Sequence, residues 1–263
     1  MKLLNFNLNL RFPDRYWFKN PSLKKRLDVL KNKVSSLDPD IITFQEATDV
    51  LLLQQLRFMF KDYGFVCKSH LRIRGGVLTL FKKNTWCLTD KKFTAFTKQG
   101  KVFSKQLADR ILKKGILVSL LENTQTRIRV LIINVHLTAN YGQKLKDEER
   151  TILKIQLREI KDLIEKHKTD SNLQIIAGDF NANFQGKTIQ NWLTSIKFTS
   201  AFKPEQCTVC PNKNPLCYRD QHKEYQIDNI LCKNCKFLNT RLVFNKKGQF
   251  ISDHFGQVAS LEF

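Results

Sequence analysis

The sequence predicts an α/β fold, and three observations carry that expectation. Short apolar runs of strand length recur along the 263 residues, and amphipathic stretches with helical spacing lie between several of them. The runs also close on carboxylate, amide or imidazole residues. Some runs are apolar almost throughout, as in strands covered on both faces, whereas Ile128-Arg129-Val130 alternates. An apolar share of 42% supports a sizeable core, and the expected organisation is one domain over residues 1–263.

The elements follow in order. Residues 2–9 set Asn5, Asn7 and Asn9 among leucines, an alternation that reads as a strand and not as the unbroken apolar stretch of a signal peptide. The compartment expected from this is cytoplasmic, or outside the cell by a signal-independent route. Leu23, Leu27, Leu30 and Val34 recur at helical steps and the pattern stops at Leu37-Asp38-Pro39. Residues 41–44 form a strand, and Thr48 caps a helix running to Lys61 with Gly64 beyond its end. Strands are expected at 65–69, 77–81, 116–121 and 128–135, with 88–114 the least regular stretch. The longest helix spans 147–167. Asp147-Glu148-Glu149 suit the positive end of its dipole, Lys166-His167-Lys168 suit the negative end, and Ile152, Ile155, Ile160, Leu163 and Ile164 form its apolar face. Residues 173–177, 226–232 and 257–263 complete the strands. No stretch approaches the ~20 consecutive apolar residues of a membrane span.

Lys and Arg number 45 against 24 Asp and Glu, a formal net charge of +21. The excess is spread along the chain. It favours polyanionic partners, whether nucleic acid, an anionic membrane face or inositol phosphates, and is equally compatible with a solvated basic surface.

The polar residues at the strand ends are Asn7, Glu46, His136, Asp179 with Asn181, Asp228, and Asp253 with His254. Each alone has a structural explanation: a helix cap, a satisfied core histidine, a turn. As a set they repeat one event, an apolar strand closing on a ligand-type residue. Asp179 and Asn181, two residues apart, project to the same side of the chain. Ligand sites of α/β sheets gather at such ends.

These segments carry a resemblance. Asn5-Phe6-Asn7, Phe44-Gln45-Glu46, Asn134-Val135-His136-Leu137, Gly178-Asp179-Phe180-Asn181, Gln226-Ile227-Asp228-Asn229-Ile230-Leu231 and Ser252-Asp253-His254 resemble, in order and spacing, the endonuclease/exonuclease/phosphatase superfamily. That superfamily includes pancreatic-type deoxyribonucleases, abasic-site endonucleases, inositol-polyphosphate phosphatases and neutral sphingomyelinases. The resemblance covers essentially the whole chain. It implies two mixed β-sheets packed as a sandwich flanked by helices, the deoxyribonuclease-like four-layer fold, and a Mg²⁺-dependent hydrolase of phosphate esters, with Mn²⁺ the alternative metal. In this reading Glu46 holds the metal, with Asn7 and Asp253 close by. Asp179 is the general base and Asn181 orients the water or a phosphate oxygen. His136 and His254 donate to phosphate oxygens, and Asp228 holds the His254 ring.

The substrate is divided among phosphate esters. Asp109 to Leu117, with Lys113 or Lys114 able to approach a phosphate, resembles the neutral sphingomyelinase branch, as does Asn214-Pro215. The charge favours nucleic acid through counterion release, and the expectation leans that way. Aromatics among basic residues (Lys91, Lys92, Phe93, Phe96, Lys98, Lys101, Phe103) face bases, a membrane interface or simply the core. A phospholipid headgroup at a membrane surface comes second and an inositol phosphate third. A non-enzymatic phosphate-binding module is the reading from another class, and a monomer is expected.

Five of the seven cysteines lie between positions 207 and 235. Cys207-x₂-Cys210 and Cys232-x₂-Cys235 have the spacing of a four-thiolate zinc site, yet on a hairpin all four converge only if the strands bend. Zinc with Cys217 as a substitute ligand, disulfides and free thiols all stay open.

Overall fold

The computed structural model describes residues 1–10, 22–48, 50–68, 76–99, 113–138, 147–217 and 224–263. Among them lie two six-stranded mixed sheets. The first is built from β1 (Lys2–Leu10), β2 (Ile41–Ala47), β3 (Tyr63–Val66), β4 (Leu78–Lys82), β11 (Lys236–Val243) and β12 (Gly256–Glu262), in the order β11-β12-β1-β2-β4-β3. The second contains β5 (Trp86–Ala95), β6 (Gly115–Asn123), β7 (Arg129–His136), β8 (Leu173–Asp179), β9 (Thr199–Ser200) and β10 (Asp228–Lys233), in the order β5-β6-β7-β8-β10-β9. Each sheet has one parallel pair, β1 with β2 and β7 with β8.

Parallel neighbours require a crossover, and helices supply it. Helix α1 (Leu23–Leu37) links β1 to β2, and α3 (Asp147–Lys166) links β7 to β8. Ser22 caps α1 by accepting the Lys25 N–H, and Asp38 ends it in the left-handed region at φ +47°. Leu27, Leu30, Val34 and Leu37 of α1, with Leu52, Leu53 and Leu56 of α2 (Val50–Met59), pack on Leu4, Phe6 and Leu8 of β1. On the far side, α3 and α4 (Lys187–Ile196) cover Ile133, Val135 and Ile176. Burying each such side chain contributes about 1.5–3 kcal/mol. A third core, including Leu3, Ile41, Ile132, Ile175 and Ile230, fills the space between the sheets.

Several expectations shift. The stretch 88–114, expected to be the least regular, begins within a strand, β5, whose register slips between Leu88 and Asp90, which blurred its alternation. Strand β11 and helix α4 had no expectation at all; β11 is an exposed edge strand whose burial is uneven, so its apolar signal is weak. The buried face of α3 is Ile152, Leu153, Gln156, Leu157, Ile160 and Ile164, whereas Ile155 and Leu163 lie at its margin. Phe96 is core, and Phe93 packs beside the inter-sheet core under the Lys68 ammonium, so neither is an exposed base platform. Lys101, Phe103 and Asp109 lie outside the described residues. No described helix is long and apolar enough to cross a membrane.

Candidate active site

Strand direction builds the site. The carboxyl ends of β1, β2, β7 and β8 meet the amino ends of β10 and β12, because β10 runs antiparallel to β8 and β12 antiparallel to β1. Register then sets neighbours: His136 pairs with Asp179, and Asp179 pairs with Asp228. Gly178 permits this packing, since a Cβ there would overlap the Val135 carbonyl oxygen.

The space between the sheets changes character along the strands. Below the site it is apolar. One step higher it is a belt of buried amides. Asn5 Nδ2 donates to the Gly178 carbonyl (3.3 Å) and to Gln257 Oε1 (3.2 Å), and Gln45 Nε2 donates to Asn5 Oδ1 (3.0 Å) and Asn134 Oδ1 (2.9 Å). Gln257 Nε2 donates to the Asp228 carbonyl at 2.9 Å. These groups sit under the site and tie both sheets to one geometry.

Above the belt the charged groups converge. Asp179 Oδ2 accepts from Asn7 Nδ2 at 2.9 Å and Asn181 Nδ2 at 3.1 Å, and Oδ1 accepts the Asn181 N–H at 2.8 Å. His136 Nε2 lies 3.5 Å from both Asp179 Oδ2 and Glu46 Oε1. His254 Nδ1 is 2.8 Å from Asp228 Oδ2, while its Nε2 stands 3.9 Å from both Asp179 Oδ2 and Asp253 Oδ1. Asp253 Oδ1 accepts from Asn9 Nδ2 at 2.9 Å. All eight strand-end residues named from the sequence are therefore in one buried cluster. Glu46 and Asn181 hold left-handed backbones, at φ +58° and +48°. Away from Gly this conformation costs on the order of 1 kcal/mol per residue, and here it turns both side chains into the cluster.

The two lysines separate. Lys113 is exposed, whereas Lys114 is buried and its Nζ donates at 3.0 Å to the Leu137 carbonyl, which also accepts Asn181 Nδ2 at 2.9 Å. Gln156 of α3 holds the same turn through Thr138, accepting its N–H at 3.1 Å.

Burial raises the Asp179 carboxyl most, Asp228 and Glu46 add to it, and His254 and Lys114 oppose it, leaving its pKa at about 7. For His254, burial acts downward but is outweighed by Asp228, Asp253 and Asp179, so the imidazole titrates well above its ordinary value. Ligand atoms of Glu46, His136 and Asp179 lie within 4.8 Å of one another, as do those of Asp179, Asp228 and His254. Asp228 Oδ1 is buried with no hydrogen-bond partner among the described residues. So concentrated a set of carboxylate oxygens suits a hard divalent cation.

The cysteines depart from the four-thiolate reading. Cys207 is bonded to Cys210 and Cys232 to Cys235, and no metal-type group among the described residues combines the two pairs. Cys232 packs in the inter-sheet core, whereas the Cys207–Cys210 segment joins Tyr225 through an isolated antiparallel bridge at Val209. Asn9 and the amide belt are the groups to which the sequence assigned no role, although the Asn5-Asn7-Asn9 alternation marked part of them; Lys114 is the one of the two expected lysines that reaches the site.

The endonuclease/exonuclease/phosphatase family model matches residues 4–254. The chain belongs to this family. Members of the family are in general hydrolytic phosphoesterases. The fold is shared with SmcL (22% identity, 98% of each chain, TM-score 0.74). It is also shared with beta toxin from Staphylococcus aureus (19% identity, 99% of each chain, TM-score 0.75). D. rerio TDP2, solved with a single-strand DNA product, is similar at 15% identity over 100% of this chain and 99% of that chain (TM-score 0.72). At these identities the likeness is one of fold. No curated protein sequence matches the chain.

Proposed function

We propose that the chain is a Mg²⁺-dependent phosphodiesterase that hydrolyses phosphate esters by in-line attack of water. The observation that carries this reading is the focus of the cluster on Asp179 Oδ2, which is met by two amide donors and two imidazoles. Asp179 is the general base: three amide N–H contacts fix its orientation, and a pKa of about 7 suits proton transfer near neutrality. It takes a proton from the attacking water as the new P–O bond forms, and the bond to the leaving group breaks on the opposite side. Asn181 orients the water or a phosphate oxygen. His254, kept charged by Asp228, and His136 donate to phosphate oxygens as negative charge builds there. Lys114 adds a buried positive charge beside them. Glu46 would hold the cation directly, with Asn7 and Asp253 close by and Mn²⁺ able to substitute. When bound, it supplies charge neutralisation at the phosphate.

The favoured substrate class is nucleic acid. The charge of +21 rewards a polyanion through counterion release, which a zwitterionic lipid does not offer.

The test is Mg²⁺-dependent turnover of bis-(p-nitrophenyl) phosphate, then of plasmid DNA, sphingomyelin vesicles and inositol polyphosphate. Turnover lost on chelation is expected, with Asp179→Ala ~10²–10³-fold slower. Asp179→Ala within tenfold of wild type would refute the mechanism. Cleavage of sphingomyelin vesicles with DNA untouched would transfer the enzyme to the lipid class.

A further inference from the structure

The segment from Cys207 to Cys217 lies outside the residues given chemical roles, yet it is bonded to both halves of the Asp228–His254 pair. Thr208, fully buried, is the point where the two halves meet. Its Oγ1 accepts the Ile227 N–H at 3.2 Å and the Asp228 N–H at 3.3 Å. Its carbonyl accepts the Phe255 N–H at 2.8 Å, one residue beyond His254. One residue therefore bridges the backbone carrying the carboxylate and the backbone carrying the imidazole. Farther along, Asn214 Nδ2 donates to the Ser252 carbonyl at 2.8 Å, and Cys217 Sγ donates to the Asp253 carbonyl at 3.2 Å.

The Cys207–Cys210 disulfide brackets Thr208 and closes a ring over four residues. Cys207 is half-buried and Cys210 is buried, so an attacking thiolate reaches Cys207 first. We propose that Thr208 is the positioning residue for the Asp228–His254 pair and that the Cys207–Cys210 disulfide holds it there, so that a dithiol reductant lowers turnover by releasing it. This rests on the phosphodiesterase reading above. The exchange balances: the dithiol gives two electrons and two protons, the sulfur–sulfur bond becomes two thiols, and the reductant closes its own disulfide. Displacements of about 1 Å in a catalytic pair cost up to ~10²-fold in rate, so a modest loosening is enough.

The experiment uses the full chain with Mg²⁺ and bis-(p-nitrophenyl) phosphate. Thr208→Val is expected to lower kcat by ~10-fold or more with KM within about twofold, and Thr208→Ser, which keeps the hydroxyl, to recover most of it. Dithiothreitol is expected to lower kcat of wild type and of Cys232→Ser/Cys235→Ser alike, and to leave the already slow Cys207→Ser/Cys210→Ser unchanged. Thr208→Val within about twofold of wild type, or an undiminished response to reductant in Cys207→Ser/Cys210→Ser, overturns the proposal. Amide hydrogen exchange decides it independently of turnover. Reduction should speed exchange at Asp228 and Phe255 while Ile132 in β7 is unaffected, and unchanged exchange at both overturns the proposal even if Thr208→Val fails to fold. Absence of turnover in the oxidised wild type counts against the phosphodiesterase reading alone, since the exchange measurement still tests the brace.

Discussion

Asp228 Oδ2 lies 2.8 Å from His254 Nδ1, and both side chains are buried. In such surroundings an imidazole alone loses its proton, so the carboxylates around it, Asp228 foremost and then Asp253 and Asp179, keep His254 charged. Asp228→Asn removes the largest of the three carboxylate contributions, leaving Asp253 and Asp179 to oppose burial. The His254 pKa should then fall from its raised value, and kcat at pH 7 should drop ~10²-fold. An NMR titration of the ring reads the first effect, and a His254 pKa unchanged in the variant would contradict the assignment of its main cause.

Stability should decline with rising pH in metal-free protein. Asp179 has a folded pKa of about 7 against 3.8 in the unfolded chain, so its contribution is present below pH 3.8 and lost as pH climbs through about 7. His254 is raised as well, so its contribution is full below pH 6.5 and disappears as pH passes its folded value. Both act in the same direction. Thermal melts between pH 4 and 8 should show this slope, flattened in Asp179→Asn. A slope identical in the two proteins would remove Asp179 as its source.

Lys114 opposes the rise in the Asp179 pKa. Lys114→Met keeps most of the volume and deletes the charge. The acidic limb of the pH–rate profile should move to higher pH, and kcat/KM should fall ~10-fold. Lys113→Met, at an exposed position, should move neither. Equal effects from the two lysines would show that Lys114 acts only through general charge.

Gly178→Ala would force a methyl group into the Val135 carbonyl, in the parallel pair that sets His136 beside Asp179. The backbone must separate there. A loss of at least ~2 kcal/mol in chemical denaturation is expected, and a variant as stable as wild type would show that the strands can yield without cost.

Much of this was legible in the chain. The alternation of Asn5, Asn7 and Asn9 with leucines marked a strand with one polar face, and Asp179 and Asn181 fell at a strand end. Period-two geometry is local, so sequence reveals it. The edge strand β11 and the slipped strand β5 were not legible, because a partly exposed or bulged strand keeps no clean apolar period. Nor could spacing choose between Lys113 and Lys114. That choice rests on a left-handed backbone at Lys113, which turns the next residue inward.

By itself, then, the amino-acid order determined which side chains stand at strand ends, and with them the kind of chemistry available. Tertiary structure decided what those side chains face. Two sheets stacked through an amide belt bring Asn7 and Glu46 from one and His136, Asp179 and Asp228 from the other within hydrogen-bond or ion-pair reach of a common centre. It also decided that the two cysteine pairs stay apart, since pairing across the chain depends on register and strand direction, which no local pattern records.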